Sequence, residues 1–206
     1  MRTRDRDVRQ AIIKKVLSEH VLDPDVLVVH ELGLQHGACR IDIAVVNGLL
    51  HGYEIKSDAD TLARLPIQVA AYSAAMDRAT LVVGERHLAA AKDLIPDWWG
   101  MKVAVVGARG AVNIVTYRPV GVNPQVSSFH VAQLLWRNEA IELLGLHGAI
   151  KGAARMNRNN LCHALAEIVP LIDLRRYVRS ALKRRENWRV DSPPKTRDDS
   201  FLLTAM

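Results

Sequence analysis

The stretch RIDIAVVNGLLHGYEIK, Arg40 to Lys56, limits the fold more than any other part of the chain. Two apolar runs flank Asn47-Gly48, a dipeptide that favours a tight reversal, so the segment reads as a β-hairpin. Side chains alternate along a strand, and parity therefore tests any register. Ile41, Ile43 and Val45 share one parity with Leu49, Tyr53 and Ile55, while Asp42 and Ala44 share the other with Gly52, Glu54 and Lys56. A two-residue turn would pair Val46 with Leu49 and set the apolar groups on opposite faces. A three-residue loop, Val46-Asn47-Gly48 with Gly48 left-handed, pairs Val45 with Leu49 and buries both groups together. That register sets Asp42 across from Gly52 and diagonally beside Glu54. Two carboxylates and a lysine are then expected on one face, with room beside them at Gly52.

The surroundings extend this into an α/β pattern. Val8, Ile12, Ile13, Val16 and Leu17 recur at helical spacing over residues 4–19. Residues 26–34 read as a strand ahead of the hairpin. Asp58 or Asp60 is a candidate cap for a helix running to about Met76, with Pro66 tolerated near its start. Residues 79–84 form a short buried strand, 87–95 a helix, and 102–107 and 111–117 two further strands. Beyond RPVGVNPQ the pattern becomes purely helical, over 127–148, 157–169 and 171–188.

Two carboxylates held close together repel, and a shared cation relieves them. Oxygen ligands of this kind suit Mg²⁺, which keeps several waters and uses few protein ligands. A protonated lysine cannot ligate the ion, but it can hold an attacking water or a developing phosphorane charge. Glu31 could add a carboxylate from the preceding strand. Arg64, Gln68 and Tyr72, spaced four apart, present one polar stripe on the following helix. Together these are the parts needed to hydrolyse a phosphodiester.

Asp42, followed twelve positions later by Glu54-Ile55-Lys56 on adjacent strands, resembles the PD-(D/E)XK nuclease superfamily. Gln68 and Tyr72 fall where that superfamily often carries an auxiliary motif, and Glu31 resembles its additional acid. The string GYEIKSDADTLARLPIQVAAY, with WWG at 98–100, is similar to a bacterial branch of it. Ile41 stands where the motif has proline. The resemblance covers about residues 5–106. It implies a restriction-endonuclease-like αβββαβ core with a mixed central sheet over residues 1–120. A basic helical region (125–190) and a loose tail (191–206) are expected to follow. The implied activity is Mg²⁺-dependent cleavage of DNA, with Mn²⁺ a substitute. Asp42, Glu54 and the Ile55 carbonyl would hold the metal, and Glu31 would assist. Lys56 would position water, and Gln68 and Tyr72 would orient the site. Cutting both strands would call for a homodimer or a second binding event.

Charge adds a nucleic-acid expectation. Residues 1–150 carry 16 basic and 16 acidic side chains, whereas 151–189 carry 10 and 3. Such a stripe suits a polyanion, although a solvated helix face is the plainer account. Arg175, Arg179 and Lys183 lie along one side of the last helix and could follow a phosphate backbone. Arg40 and Arg64 could touch phosphate or pair with Asp58 or Asp60; both assignments stay open. Trp98 and Trp99 read as a core clamp before a base-stacking platform. The histidines lack metal-ligand spacing, so zinc is not expected. Two cysteines and no apolar run of membrane-spanning length fit a reducing cytoplasm. The competing reading is a non-catalytic nucleic-acid-binding or partner-recruiting protein with the same fold.

Overall fold

The computed structural model of the protein describes residues 2–185; the tail expected at 191–206 lies outside them. Helices α1 (Asp5–Lys15) and α2 (Ser18–Leu22) precede strands β1 (Leu27–Leu34), β2 (Cys39–Val46) and β3 (Leu50–Lys56). Helix α3 (Leu65–Ala75), β4 (Arg78–Gly84), α4 (Leu88–Ala91), β5 (Gly100–Val106) and β6 (Val112–Arg118) follow. The strands make one six-stranded sheet in chain order. The β1–β2–β3 meander and the β5–β6 pair are antiparallel, while β3, β4 and β5 run parallel. The molecule is therefore α/β with a mixed sheet. Four C-terminal helices among the described residues complete it: α5 (Ser128–Ala132), α6 (Arg137–Leu146), α7 (Arg158–Ile168) and α8 (Leu171–Arg184).

Both faces of the sheet are covered. On one, Val8 and Ile12 of α1 with Leu17 pack on Ile43, Val45, Tyr53 and Ile55. On the other, a larger cluster joins Ala44, Val46 and Leu50 to Tyr72 of α3 and then to Leu143, Leu165, Leu174 and Val178 of the C-terminal helices. Each such aliphatic side chain contributes about 1.5–3 kcal/mol on full burial.

This two-sided burial corrects the expected hairpin register. Val46 pairs with Leu50 and Ala44 with Gly52, two residues away from the expected pairing. The loop is Asn47-Gly48-Leu49, with Gly48 left-handed at φ 91 as expected. Parity is preserved, but Leu50, fully buried against the α3 side, sets the register in place of Leu49. Ile41 also departs from expectation: it packs with Ala44 and not with Ile43. Asp58 and Asp60 do not cap α3, which begins at Leu65 with Arg64 at its N-cap and no side-chain cap. Asp58 Oδ2 instead accepts the Thr3 N–H and hydroxyl, each at 2.9 Å. Asp60 Oδ2 accepts the Ser57 N–H at 2.8 Å. The helix expected at 87–95 is one α-turn, Leu88–Ala91, entered through a 3₁₀ turn.

Asp77, 3% exposed, ties the hairpin to the C-terminal helices. Its Oδ2 accepts the Leu50 N–H at 2.8 Å, and its Oδ1 lies 3.0 Å from Arg175 Nε on α8. Asp77→Ala leaves the buried Leu50 amide without its acceptor and Arg175 without its ion partner, an expected loss of about 2–3 kcal/mol. Urea unfolding would show it as a lower midpoint at constant slope; a wild-type midpoint would mean that Asp77 joins nothing.

Candidate active site

The site forms where the β2–β3 ladder stops. The last paired residues are Ile43 and Tyr53. Beyond them the Ile55 N–H donates to the carboxylate of Asp42, at 2.7 Å from Oδ2, and not to a main-chain carbonyl. The β1–β2 ladder is also irregular here: it pairs His30 with Ile43 and Leu32 with Ile41, and between them Glu31 is left-handed at φ 57. Strand alternation slips at this level, so Val29 and Leu32 share one face, as do Ile41 and Ala44. The register is the same on either side of the break, so this is an interruption at Glu31 and Asp42 without an inserted residue. The slip turns the Asp42 main chain across the sheet. Its N–H reaches Tyr72 Oη on the α3 side at 3.2 Å, and its carbonyl accepts from Arg9 Nη1 on the α1 side at 2.8 Å.

Glu54 sits beside it, 1% exposed, with both oxygens engaged. Oε1 accepts from Lys56 Nζ at 2.7 Å and Gln68 Nε2 at 2.5 Å; Oε2 accepts from Tyr72 Oη at 2.6 Å. The four-residue spacing on α3 brings Gln68 and Tyr72 to the same carboxylate. Lys56 is itself 4% exposed, so Glu54 and Lys56 form a desolvated ion pair. Tyr72 is propped by Trp99, ring centroids 5.5 Å apart, and Trp99 Nε1 bonds Ser73 Oγ. The tryptophan pair serves the core, as expected: Trp99 is fully buried.

Burial raises the pKa of Glu54. Burial raises Asp42 also, and the charge of Glu54 adds to this, to about 8 despite the Arg9 cation and the Ile55 amide. Tyr72 is held well above an ordinary phenol by burial and then by the charges of Glu54 and Asp42.

Sequence reasoning missed Arg9 and Asp5. Arg9 is 5% exposed and lies on the core side of α1, between Val8 and Ile12. Its guanidinium meets Asp5 (Nε to Oδ1 3.2 Å), Asp42 (Nη2 to Oδ1 3.3 Å) and Glu31 (Nη2 to Oε1 3.5 Å). Burial alone would weaken this cation, but Asp42, Asp5 and Glu31 outweigh it and raise its pKa. The signal was present: a basic residue inside the apolar stripe, four positions after an acid, in a segment that reads as a solvated charge run.

A cleft of about 650 Å³ opens onto Asp42, Glu54 and Lys56, with exposed Arg40 and Arg64 at its edge. No ion pair from either arginine to Asp58 or Asp60 is present among the described residues. The expected basic stripe of α8 turns partly inward. Arg175 pairs with Asp77, Lys183 Nζ donates to the Asp25 carbonyl at 2.6 Å, and Arg179 is half-buried. A hydrophobic helix face must pack, and packing brings Arg175 to the Asp77 carboxylate and Lys183 to the Asp25 carbonyl.

The donor set suits a divalent cation that keeps its own waters: two adjacent carboxylates, with Gln68 Oε1 buried and without a hydrogen-bond partner. A larger cage is absent: no group of three or more His, Cys, Asp or Glu able to share an ion occurs among the described residues. No helix among them is long and apolar enough to cross a membrane.

Comparison with known proteins bears on family membership. The model of the family described as bacteriophage P4 protein cII matches residues 1–192. Protein cII of Enterobacteria phage P4 is 25% identical over 182 residues, spanning 88% of this chain and 67% of that protein. A solved protein of unknown function from Silicibacter pomeroyi superposes with a TM-score of 0.43 at 19% identity, covering 68% of this chain and 89% of that one.

Tyr72→Phe keeps the buried ring and removes only the hydroxyl shared by Glu54 and the Asp42 amide. The expected cost is about 1–3 kcal/mol, because one buried donor and one buried acceptor lose their partner. Thermal unfolding compared with wild type measures it, and an unshifted midpoint would show the hydroxyl to be dispensable.

Proposed function

The chain belongs to the bacteriophage P4 protein cII family, and from the site geometry we propose that it is a Mg²⁺-dependent endonuclease hydrolysing phosphodiester bonds of DNA. In this reading the α/β sheet is a restriction-endonuclease-like core of the PD-(D/E)XK type. The observation that carries it is the convergence of Asp42, Glu54 and Lys56 at the end of one strand ladder, open to a cleft.

Asp42 and Glu54, with the Ile55 carbonyl, would hold Mg²⁺ or Mn²⁺, and Glu31 would add negative charge from the cleft wall. When bound, such an ion supplies Lewis-acid polarisation of the phosphate and an acidified water. The remaining chemistry belongs to the chain. Tyr72 and Gln68 fix the Glu54 carboxylate by its two oxygens, so its orientation is set before substrate arrives. The Ile55 amide at Oδ2 and Arg9 at Oδ1 and at the main-chain carbonyl fix Asp42. Lys56, already desolvated, can turn one N–H from Glu54 to an attacking water or to a phosphoryl oxygen as charge builds there. Arg40 and Arg64, exposed beside the cleft, would meet backbone phosphates and make binding salt-sensitive.

One observation favours a second reading. Both Glu54 oxygens are already occupied by protein donors, which is what a purely structural polar network would also show. The protein would then be a non-catalytic nucleic-acid-binding or partner-recruiting member of the same architecture.

Supercoiled plasmid incubated with Mg²⁺ or Mn²⁺ separates the two. Wild type is expected to nick or linearise it. Asp42→Ala and Lys56→Ala, shown to be folded by circular dichroism, are expected to be slower by about 100-fold or more. Cleavage unaffected by either substitution would remove the site from the chemistry. Salt-sensitive DNA retention without cleavage would favour the second reading.

A further inference from the structure

Arg2, Arg4 and Arg6 occupy alternate positions ahead of α1 and in its first turn, and all three are exposed. Thr3 between them is 1% exposed. Its N–H and hydroxyl both lie 2.9 Å from Asp58 Oδ2, and the Asp58 N–H lies 2.9 Å from its Oγ1. Asp58 follows Lys56 by two residues, so this stretch is pinned beside the end of β3. At Gly84 a Cβ would collide with the Asp58 carboxylate, and glycine there keeps the room that the clamp needs.

The acids interspersed with these arginines have other partners. Asp5 pairs with Arg9, and Asp7 Oδ2 accepts the Arg4 N–H at 3.3 Å. No ion pair from Arg2, Arg4 or Arg6 occurs among the described residues. The three guanidinium charges are permanent at physiological pH. They line a groove of about 580 Å³ together with Thr3, Asp7 and Ala59. That groove adjoins the cleft, whose wall includes Asp5, between Arg4 and Arg6, and Asp60, next to Ala59. A recess of about 340 Å³ shares Arg2, Thr3 and Asp7 with the groove and continues past Lys14.

We infer that Arg2, Arg4 and Arg6 form the track along which a DNA backbone runs to the cleft, in place of the basic side of α8. The inference rests on the DNA-binding part of the reading above and not on cleavage. Exposed guanidinium groups meet phosphates without regard to sequence, and each contact releases counterions. Here the main chain that carries them is already ordered by the buried threonine, so binding has less freedom to remove. Helix α8 offers less, because Arg175 and Lys183 are committed to Asp77 and the Asp25 carbonyl. Arg40 and Arg64 hold the strand at the cleft edge, and the track holds its continuation.

The test is fluorescence anisotropy of a labelled DNA duplex of arbitrary sequence, titrated without divalent metal at several salt concentrations. R4Q/R6Q is compared with K151Q/R155Q, which removes two exposed basic side chains from the C-terminal basic segment. R4Q/R6Q is expected to bind about tenfold more weakly, and its slope of log affinity against log salt is expected to be shallower by about two. K151Q/R155Q and the charge-keeping R4K/R6K are expected to retain the wild-type slope. A wild-type slope in R4Q/R6Q would overturn the inference and leave the site chemistry to be judged by plasmid cleavage. Equal losses in the two glutamine variants would overturn it as well, since net charge alone would then explain binding. Wild type that fails to bind duplex at low salt would overturn both the inference and the DNA reading. The expected pattern in a chain that never nicks plasmid would keep the track and overturn only the catalytic reading.

Discussion

The hydrogen bond from the Ile55 amide to the Asp42 carboxylate is the contact on which the rest of the site depends. A β-ladder continues until a main-chain donor finds a better acceptor or none. Here a side chain takes the place of a carbonyl, so β2 and β3 part company while β3 continues its parallel pairing with β4 as far as Lys56. Beside this break Glu54 and Lys56, two residues apart on β3 and so on one face, form their buried pair. The carboxylate of Asp42 is anchored at both oxygens, Oδ2 by the Ile55 amide and Oδ1 by Arg9. The left-handed residue at Glu31 has a related effect, shifting strand alternation so that two acids on neighbouring strands lean toward Arg9.

Electrostatics then decides what can be tolerated. Desolvating a charge costs several kcal/mol, and only close partners offset it. Glu54 has three donors on its two oxygens, Asp42 shares a guanidinium and an amide, and Arg9 faces three acids. Even so, the protons bind more tightly at Asp42 and Glu54 than in water. Such sites trade stability of the charged form for readiness to accept a cation.

Much of this was legible in the sequence, and the reasons for the failures are specific. Parity alone required an odd-length hairpin loop, and Gly48 was the residue able to turn it. The exact register was not legible, because Leu49 and Leu50 are equally apolar. Only the layer formed by α3 and the C-terminal helices, which buries the second face, chooses between them. Glu54, Lys56, Gln68 and Tyr72 were readable from spacing, since strand and helix periods place them without knowledge of the tertiary fold. Arg9 was hard to read because its local sign, a basic residue beside the apolar stripe and four positions after Asp5, is swamped by the other charges of the first helix. Its further partners lie on β1 and β2, more than twenty residues away. The basic side of α8 misled for the mirror reason: its partners, the Asp77 carboxylate and the Asp25 carbonyl, are also remote.

The apolar cluster that runs without a seam from β2 through α3 into α6, α7 and α8 bears on modularity. Cores that close within one segment can be copied, fused or exchanged as units. Here the apolar cluster continues from the sheet through α3 into the helices of residues 128–184, which pack on one another and on α3. The cleft and the helical layer are thus inherited together. Descendants of such a chain are free to vary the loops at the cleft mouth, but not to shed the helices behind it.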